Sequence, residues 1–285
     1  MYQESFSDSF KRGFMMLPGA LRWILAINVA VFILQALLNL FGLGMVNAHI
    51  IQWFALTPSS TEMITQPWRL VTYMFLHGSG FHILFNMLWL WWMGRPVEET
   101  LGSRNFAVIY LGSGIGGALI QILLAGVISS GPTIGASGAV FGIMVCFAVL
   151  YPRQPIMLFL LPPIEARYLV MGLIVLDVLF LNASDNIARI VHLGGALWGW
   201  LLIKAYYRGY NFDAWVGSFL RKMNNLYSRD SKPRNKKMHI VTDADVIEEI
   251  EQDEMDRILD KISKDGYSSL TADEKRKLFE MSKRN

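Results

Sequence analysis

The sequence predicts an all-helical membrane protein, a bundle of six spans over residues 21–207 followed by a small helical tail. Three observations lead there. Of the 285 residues, 53% are hydrophobic and only 17% are charged, whereas soluble domains average about 25% charged. The mean hydropathy is +0.34, and its apolar excess is concentrated between residues 20 and 207, with polar sequence beyond. From Asn105 to Pro152 there is no charged side chain at all. A helix of about 20 apolar residues crosses the hydrocarbon core, so this distribution describes a membrane domain with a soluble tail.

Residues 1–20 form a polar N-terminal segment. The first apolar run, Trp23 to Val46, is too long for a signal-peptide core and lacks a small-residue cleavage site, so no cleavable leader is expected. Six spans are expected at about 21–44, 76–94, 106–128, 135–151, 168–183 and 190–207. The breaks carry turn or charge chemistry: "GRPVEETLGSR" (94–104), "SSGP" (129–132), "YPRQP" (151–155) and "NASDN" (182–186). The apolar stretch 154–168 is interrupted by Pro162 and Pro163 and reads as an interfacial connection.

Basic residues near span ends set the orientation. Lys11, Arg12, Arg22, Arg95, Arg104, Arg153, Arg167, Lys204 and Arg208 fall on one side, and Arg69 and Arg189 on the other. Both termini are therefore expected in the cytoplasm, with loops 45–75, 129–134 and 182–189 outside. In this topology Ser137 enters span four from the outer face and His192 enters span six from the same face. His82 and Asn86 lie near the outer end of span two. Polar groups from three helices thus share one depth.

A buried serine can bond its own helix's carbonyl four residues back and needs no function. Ser137, however, opens a helix, where free N–H groups and the positive dipole end meet, and Gly135 and Gly138 clear space around it. An ionisable His192 inside a span marks a functional site by default. Gly195 and Gly199 follow it on the same face and form a small-residue seam that lets another helix approach closely. If that helix is span four, a neutral imidazole can take the proton of the Ser137 hydroxyl. His82 and Asn86, four residues apart on one face, can supply the paired donors of an oxyanion hole, or a plain polar contact between helices. Trp89, Trp91 and Trp92 read as core or lipid-facing bulk.

"GASG" around Ser137, "HILFN" on span two and "HLGGALWG" on span six, with "PWR" (67–69) in the first outer loop, together resemble the rhomboid intramembrane serine proteases. The resemblance covers about residues 15–207. It implies a six-transmembrane-helix rhomboid-type bundle and a Ser–His dyad without a required aspartate. In that pattern Ser137 matches the nucleophile and His192 the general base. His82, Asn86 and the Ser137 N–H match the oxyanion hole. Trp68 and Arg69 match a structural loop signature, and Glu98 a structural carboxylate. Phe141 stands where many bacterial relatives carry a tyrosine stacked on the histidine; it keeps the stacking surface and loses the hydroxyl. The resemblance further implies transmembrane protein substrates, cut in or beside their helix near the outer surface, and a bacterial inner-membrane location.

Asp177, in the outer half of span five, has two readings: it orients His192 in a triad, or it is protonated or hydrogen-bonded within the bundle. His77 and His49 read as structural, and the single cysteine, Cys146, as a buried packing residue. No metal, cofactor or nucleic-acid partner is expected; the paired-histidine-and-glutamate zinc motif is missing. A small-solute transporter would show an internal repeat and broken helices, and neither is seen. A catalytically silent relative would lack the serine or the histidine.

The tail divides into a basic linker, 208–243, and a small helical segment, 244–285. "RDSKPRNKK" (229–237) can lie against anionic lipid. Ile247, Ile250, Ile258, Leu259 and Ile262 recur at helical spacing, Gly266 marks a stop, and "TADE" (271–274) is a capping box with Thr271 as N-cap. Its partner is not legible.

Overall fold

The computed structural model describes residues 6–58, 60–125, 131–158, 162–181, 186–210, 212–227, 257–264 and 266–282. The chain divides into two units, Met1–Lys222 and Met223–Asn285. The first unit runs α1 (Phe6–Met15), α2 (Gly19–Leu40), α3 (Gly44–Phe54), α4 (Ser60–Thr65) and α5 (Arg69–Thr72), then a 3-10 turn at Tyr73–Phe75. It continues with α6 (Gly80–Leu101), α7 (Ser103–Leu124), α8 (Ser137–Leu150), the strands β1 (Pro155–Ile156) and β2 (Ile164–Glu165), α9 (Ala166–Leu179) and α10 (Asn186–Tyr207). A further helix, α11, spans Phe212–Tyr227.

Helices α2, α6, α7, α8, α9 and α10 fall on the six expected spans, with shifted ends. By length and hydropathy alone α2 and α7 could cross a membrane, with mean hydropathies of 2.1 and 1.9. The others are shorter or carry charge. Apolar side chains left uncovered on the outside of the bundle include Ile27, Ile33, Leu34 and Leu37 on α2 and Met171, Val175, Val178 and Leu179 on α9. Such faces are costly against water and neutral against lipid.

The structure corrects several local expectations. The break expected over 94–104 narrows to Gly102 (φ +80°): α7 starts at Ser103, and α6 runs past the expected end at 94 to Leu101 with Pro96 inside it. Its charges have partners that make this affordable. Arg95 pairs with Glu99 one turn on, at 2.9 Å. The buried carboxylate of Glu98 accepts the N–H groups of Ala20 at 2.8 Å and Leu21 at 2.6 Å. These are orphan donors in the first turn of α2, where the dipole also favours negative charge. The segment 45–75, expected as an outer loop, holds α3, α4 and α5, because Gly42 (φ +74°) turns the chain after α2 and a new helix starts. The connection 154–168 carries a two-residue antiparallel hairpin, Pro155 opposite Glu165 and Ile156 opposite Ile164. The expected linker begins with a helix, α11, while its basic stretch 229–237 lies outside the described residues, as do residues 129–130 and 182–185 of the expected turns.

Glycine decides how closely α7, α8 and α10 approach. A Cβ on Gly195 would stand 2.0 Å from the carbonyl oxygen of Gly138, and one on Gly199 2.5 Å from the Cα of Gly142. A Cβ on Gly194 would lie 2.8 Å from the Cα of Gly117. Backbone meets backbone at all three points, which only small residues allow.

In the second unit, residues 257–264 are helical and Gly266 (φ +79°) turns the chain towards the helix Ala272–Ser282. The Thr271 N–H donates to Glu274 at 2.7 Å and the Glu274 N–H to the Thr271 hydroxyl at 3.3 Å, a reciprocal capping box. Lys261 reaches the same carboxylate at 2.9 Å, and Ile258 and Leu270 are buried. Ile247 and Ile250 lie outside the described residues.

Candidate active site

Ser137 is the first residue of α8, after a cap at Ala136. Its N–H therefore belongs to the first turn, whose donors have no partner within the helix. The approach to it is pinned from several sides. Thr133 and Leu56 exchange two backbone hydrogen bonds, at 2.8 and 3.0 Å. Gln121 Nε2 donates to the Thr133 hydroxyl at 2.8 Å, and the Gly135 N–H to the Tyr73 carbonyl at 2.9 Å.

The "PWR" residues support the same strut. Arg69 is buried and donates to the Ala55 carbonyl at 3.1 Å, to the Thr57 hydroxyl at 3.3 Å and to Gln66 at 2.7 Å. These contacts flank Leu56, the residue bridged to Thr133. Trp68 Nε1 donates to the Trp53 carbonyl at 3.1 Å.

A cavity of about 400 Å³ opens on Ser137, His192, His82, Asn86 and Phe141, with Phe81, Phe85, Trp89, Met144 and Leu173 among its apolar lining. His82 packs against Gly135: a Cβ there would meet the ring at 2.6 Å. Gly135 has φ +128°, so this close approach and this backbone both need glycine. The His82 N–H donates to the N-cap hydroxyl of Ser79 at 3.2 Å, which opens α6 beside the cavity. Asn86 is buried, and one of its amide hydrogens goes to the His82 carbonyl at 2.9 Å. His77 stands behind His82, ring centroids 5.1 Å apart, and its own N–H donates to Gln35 at 3.2 Å.

The Phe141 and His192 rings stack, centroids 4.5 Å apart and 9° from parallel. This follows from the glycine seam, which brings α10 onto α8. Among the described residues the imidazole hydrogen-bonds through Nδ1, to Asp177 Oδ2 at 2.9 Å and not to Ser137; Ser137 and His192 share the cavity without a direct bond. Arg189 Nη1 lies 3.3 Å from the other oxygen of Asp177. Arg189 carries no functional signal in the sequence, because its meeting with Asp177 depends on how α9 and α10 are rotated.

Comparison with known proteins identifies the family. Residues 65–209, just over half of the chain, match the model of the Rhomboid domain. Residues 248–284 match a second model, described as a family of unknown function (DUF6576). Rhomboid protein 1, mitochondrial, of Saccharomyces cerevisiae is 32% identical over 195 residues, 64% of this chain and 53% of that protein. Rhomboid protease GlpG of Serratia proteamaculans is 30% identical over 185 residues, 63% of this chain and 59% of its own length. Rhomboid protease GluP of Bacillus subtilis is 33% identical over 177 residues, 62% of this chain and 33% of its own length. The chain thus spans between a third and three fifths of these relatives. With more than half of it matched by the domain model, this chain belongs to the rhomboid family, a family with a helical membrane fold.

Proposed function

We propose that this protein is an intramembrane serine endopeptidase that cuts transmembrane proteins in or near their membrane-spanning helix, using Ser137 and His192 as a dyad. The observation that carries the reading is the single cavity shared by Ser137, His192, His82 and Asn86, together with Phe141 stacked on the imidazole. Relatives named rhomboid proteases support it.

In this reading α2, α6, α7, α8, α9 and α10 are the six spans, both termini are cytoplasmic and the cavity opens outward. Helix α8 has 14 residues and so is about 21 Å long, shorter than a hydrocarbon core of about 30 Å. A nucleophile at its start lies below the membrane surface, within reach of a substrate helix that has begun to unwind. A peptide bond in a stable helix has its carbonyl hydrogen-bonded and shielded; Gly, Ala, Ser or a nearby Pro weakens that protection.

The Ser137 Oγ attacks the exposed carbonyl carbon while its proton passes to His192 Nε2. The oxygen of the tetrahedral intermediate gains negative charge and is met by the Ser137 N–H, His82 and the free Asn86 amide hydrogen. His192 then gives its proton to the leaving amine, the C–N bond breaks, and water repeats the sequence on the acyl-enzyme. Phe141 keeps the imidazole plane in place between the two transfers.

The test is cleavage of a labelled single-span substrate in liposomes by the parent, Ser137→Ala and His192→Ala. Loss of about 10⁴-fold or more in each variant is expected, since members of such a unit are not individually dispensable. Unchanged cleavage in either variant overturns the dyad.

A further inference from the structure

The geometry assigns Asp177 as a positioning residue that holds His192 in the tautomer and orientation a general base needs; this rests on the reading of Ser137 and His192 given above. The rhomboid resemblance implies no such carboxylate, so the assignment comes from this chain alone.

Asp177 sits in the last turns of α9, in the apolar context "GLIVLDVLFL", and is buried. A carboxylate in such surroundings is held only by specific partners. Among the described residues it has two, and they use different oxygens: Oδ2 faces His192 Nδ1 at 2.9 Å, and Oδ1 faces Arg189 Nη1 at 3.3 Å. The side chains of Asp177, His192 and Arg189 are only 11, 19 and 23% exposed, so water screens the group poorly. Arg189 and His192 are three residues apart and share one face of α10, which lets one carboxylate span both.

The chemistry then follows from donor and acceptor types. An ionised carboxylate can only accept, so Nδ1 carries the hydrogen and Nε2 keeps its lone pair. Nε2 is the nitrogen that must take the Ser137 proton. When it does, the imidazolium forms with a carboxylate already at hydrogen-bond distance, which stabilises the charge without reorganisation. Phe141 restrains the ring from its face and Asp177 from its edge, so tilt and rotation are both restricted. Arg189 gives the carboxylate a fixed counter-charge, and a single residue of α9 thereby couples two residues of α10.

The test uses the full-length protein in detergent and a fluorophosphonate probe, whose reaction with Ser137 requires no knowledge of the substrate. Maximal labelling rate and half-saturating concentration are measured for the parent, Asp177→Asn, Asp177→Glu, Arg189→Gln and Ser137→Ala, each with its thermal midpoint. Asp177→Asn is expected to lower the maximal rate by about tenfold or more with the half-saturating concentration unchanged. Asp177→Glu restores part of that loss by returning a carboxylate. Arg189→Gln breaks the same α9–α10 contact from its other end, leaves His192 its acceptor, and is expected to lose less than Asp177→Asn. A fall of less than tenfold in Asp177→Asn, or an equal fall in Arg189→Gln, overturns the assignment and leaves Asp177 as a tether between helices. Labelling that persists in Ser137→Ala removes the serine-protease reading itself, and the assignment with it.

Discussion

The α8–α10 joint and the α2–α6 joint are built by opposite means. Between α8 and α10 there is no side chain at the closest points: Gly195 lies over Gly138 and Gly199 over Gly142. Between α2 and α6 a single buried carboxylate, Glu98, bonds two backbone N–H groups. The first joint fixes helix spacing through hard backbone contact, and it is the one that carries Ser137, Phe141 and His192. The second adds to the apolar packing of Leu21 against Gly94 two hydrogen bonds that satisfy a helix end, a contact more tolerant of small shifts. The residues proposed for the chemistry sit on the stiff joint, and the satisfaction of a helix start is left to the compliant one.

Beyond Ser137 and His192 themselves, the largest expected effect tests whether the cavity face is chemical rather than structural. Asn86→Ala should lower kcat about 10²–10³-fold with the thermal midpoint little changed, because the amide's other bond stays within its own helix. A fall confined to thermal stability would assign Asn86 to packing instead. Next, Gly195→Val forces a branched side chain against the Gly138 backbone. It should cost about 3 kcal/mol or more in thermal unfolding in detergent and lower the activity of whatever remains folded, since His192 moves away from Ser137. Retained activity in a well-folded Gly195→Val protein would show that the α8–α10 spacing does not set the site.

Glu98→Ala probes the compliant joint. It leaves two first-turn N–H groups without acceptors at a loss of about 1.5–3 kcal/mol, read as a lowered thermal midpoint, while kcat per folded molecule stays near the parent value. A kcat loss as deep as that of Asn86→Ala would erase the distinction between the joints. The smallest effect lies in the C-terminal unit, where contacts are exposed. Lys261 first, then the Thr271 N–H and hydroxyl, hold the Glu274 carboxylate down, from an ordinary 4.5 to about 2. A lowered carboxylate pKa means that the cap's contribution is complete above about 4.5 and disappears as pH falls through about 2. In the full-length protein the Glu274 carbon-13 titration should have its midpoint near 2 and move up in Lys261→Gln. An unmoved midpoint would deny Lys261 the leading role.

The legibility of the chain was uneven for physical reasons. Hydropathy located the helices that became α2, α6, α7, α8, α9 and α10, because burial in an apolar medium acts on runs of residues. It misjudged ends wherever a charge finds a partner: α6 outlasts its apolar run because Glu98 and Arg95 are paired. The segment 45–75 looked like loop because α3, α4 and α5 are short and weakly patterned. The capping box at Thr271 was readable because it is local, all its atoms lying within four residues.

The sequence by itself determined the membrane character and the order of the helices, and it singled out the residues proposed here for acyl transfer, since each of these is read from neighbours along the chain. Only the tertiary structure decided which faces meet. It set the Gly195–Gly138 register, stacked Phe141 on His192, and brought Asp177 to Nδ1 of that histidine. Those outcomes depend on the rotation of one helix about its axis relative to another. A rotation is selected by packing over the whole contact, and no single stretch of sequence encodes it.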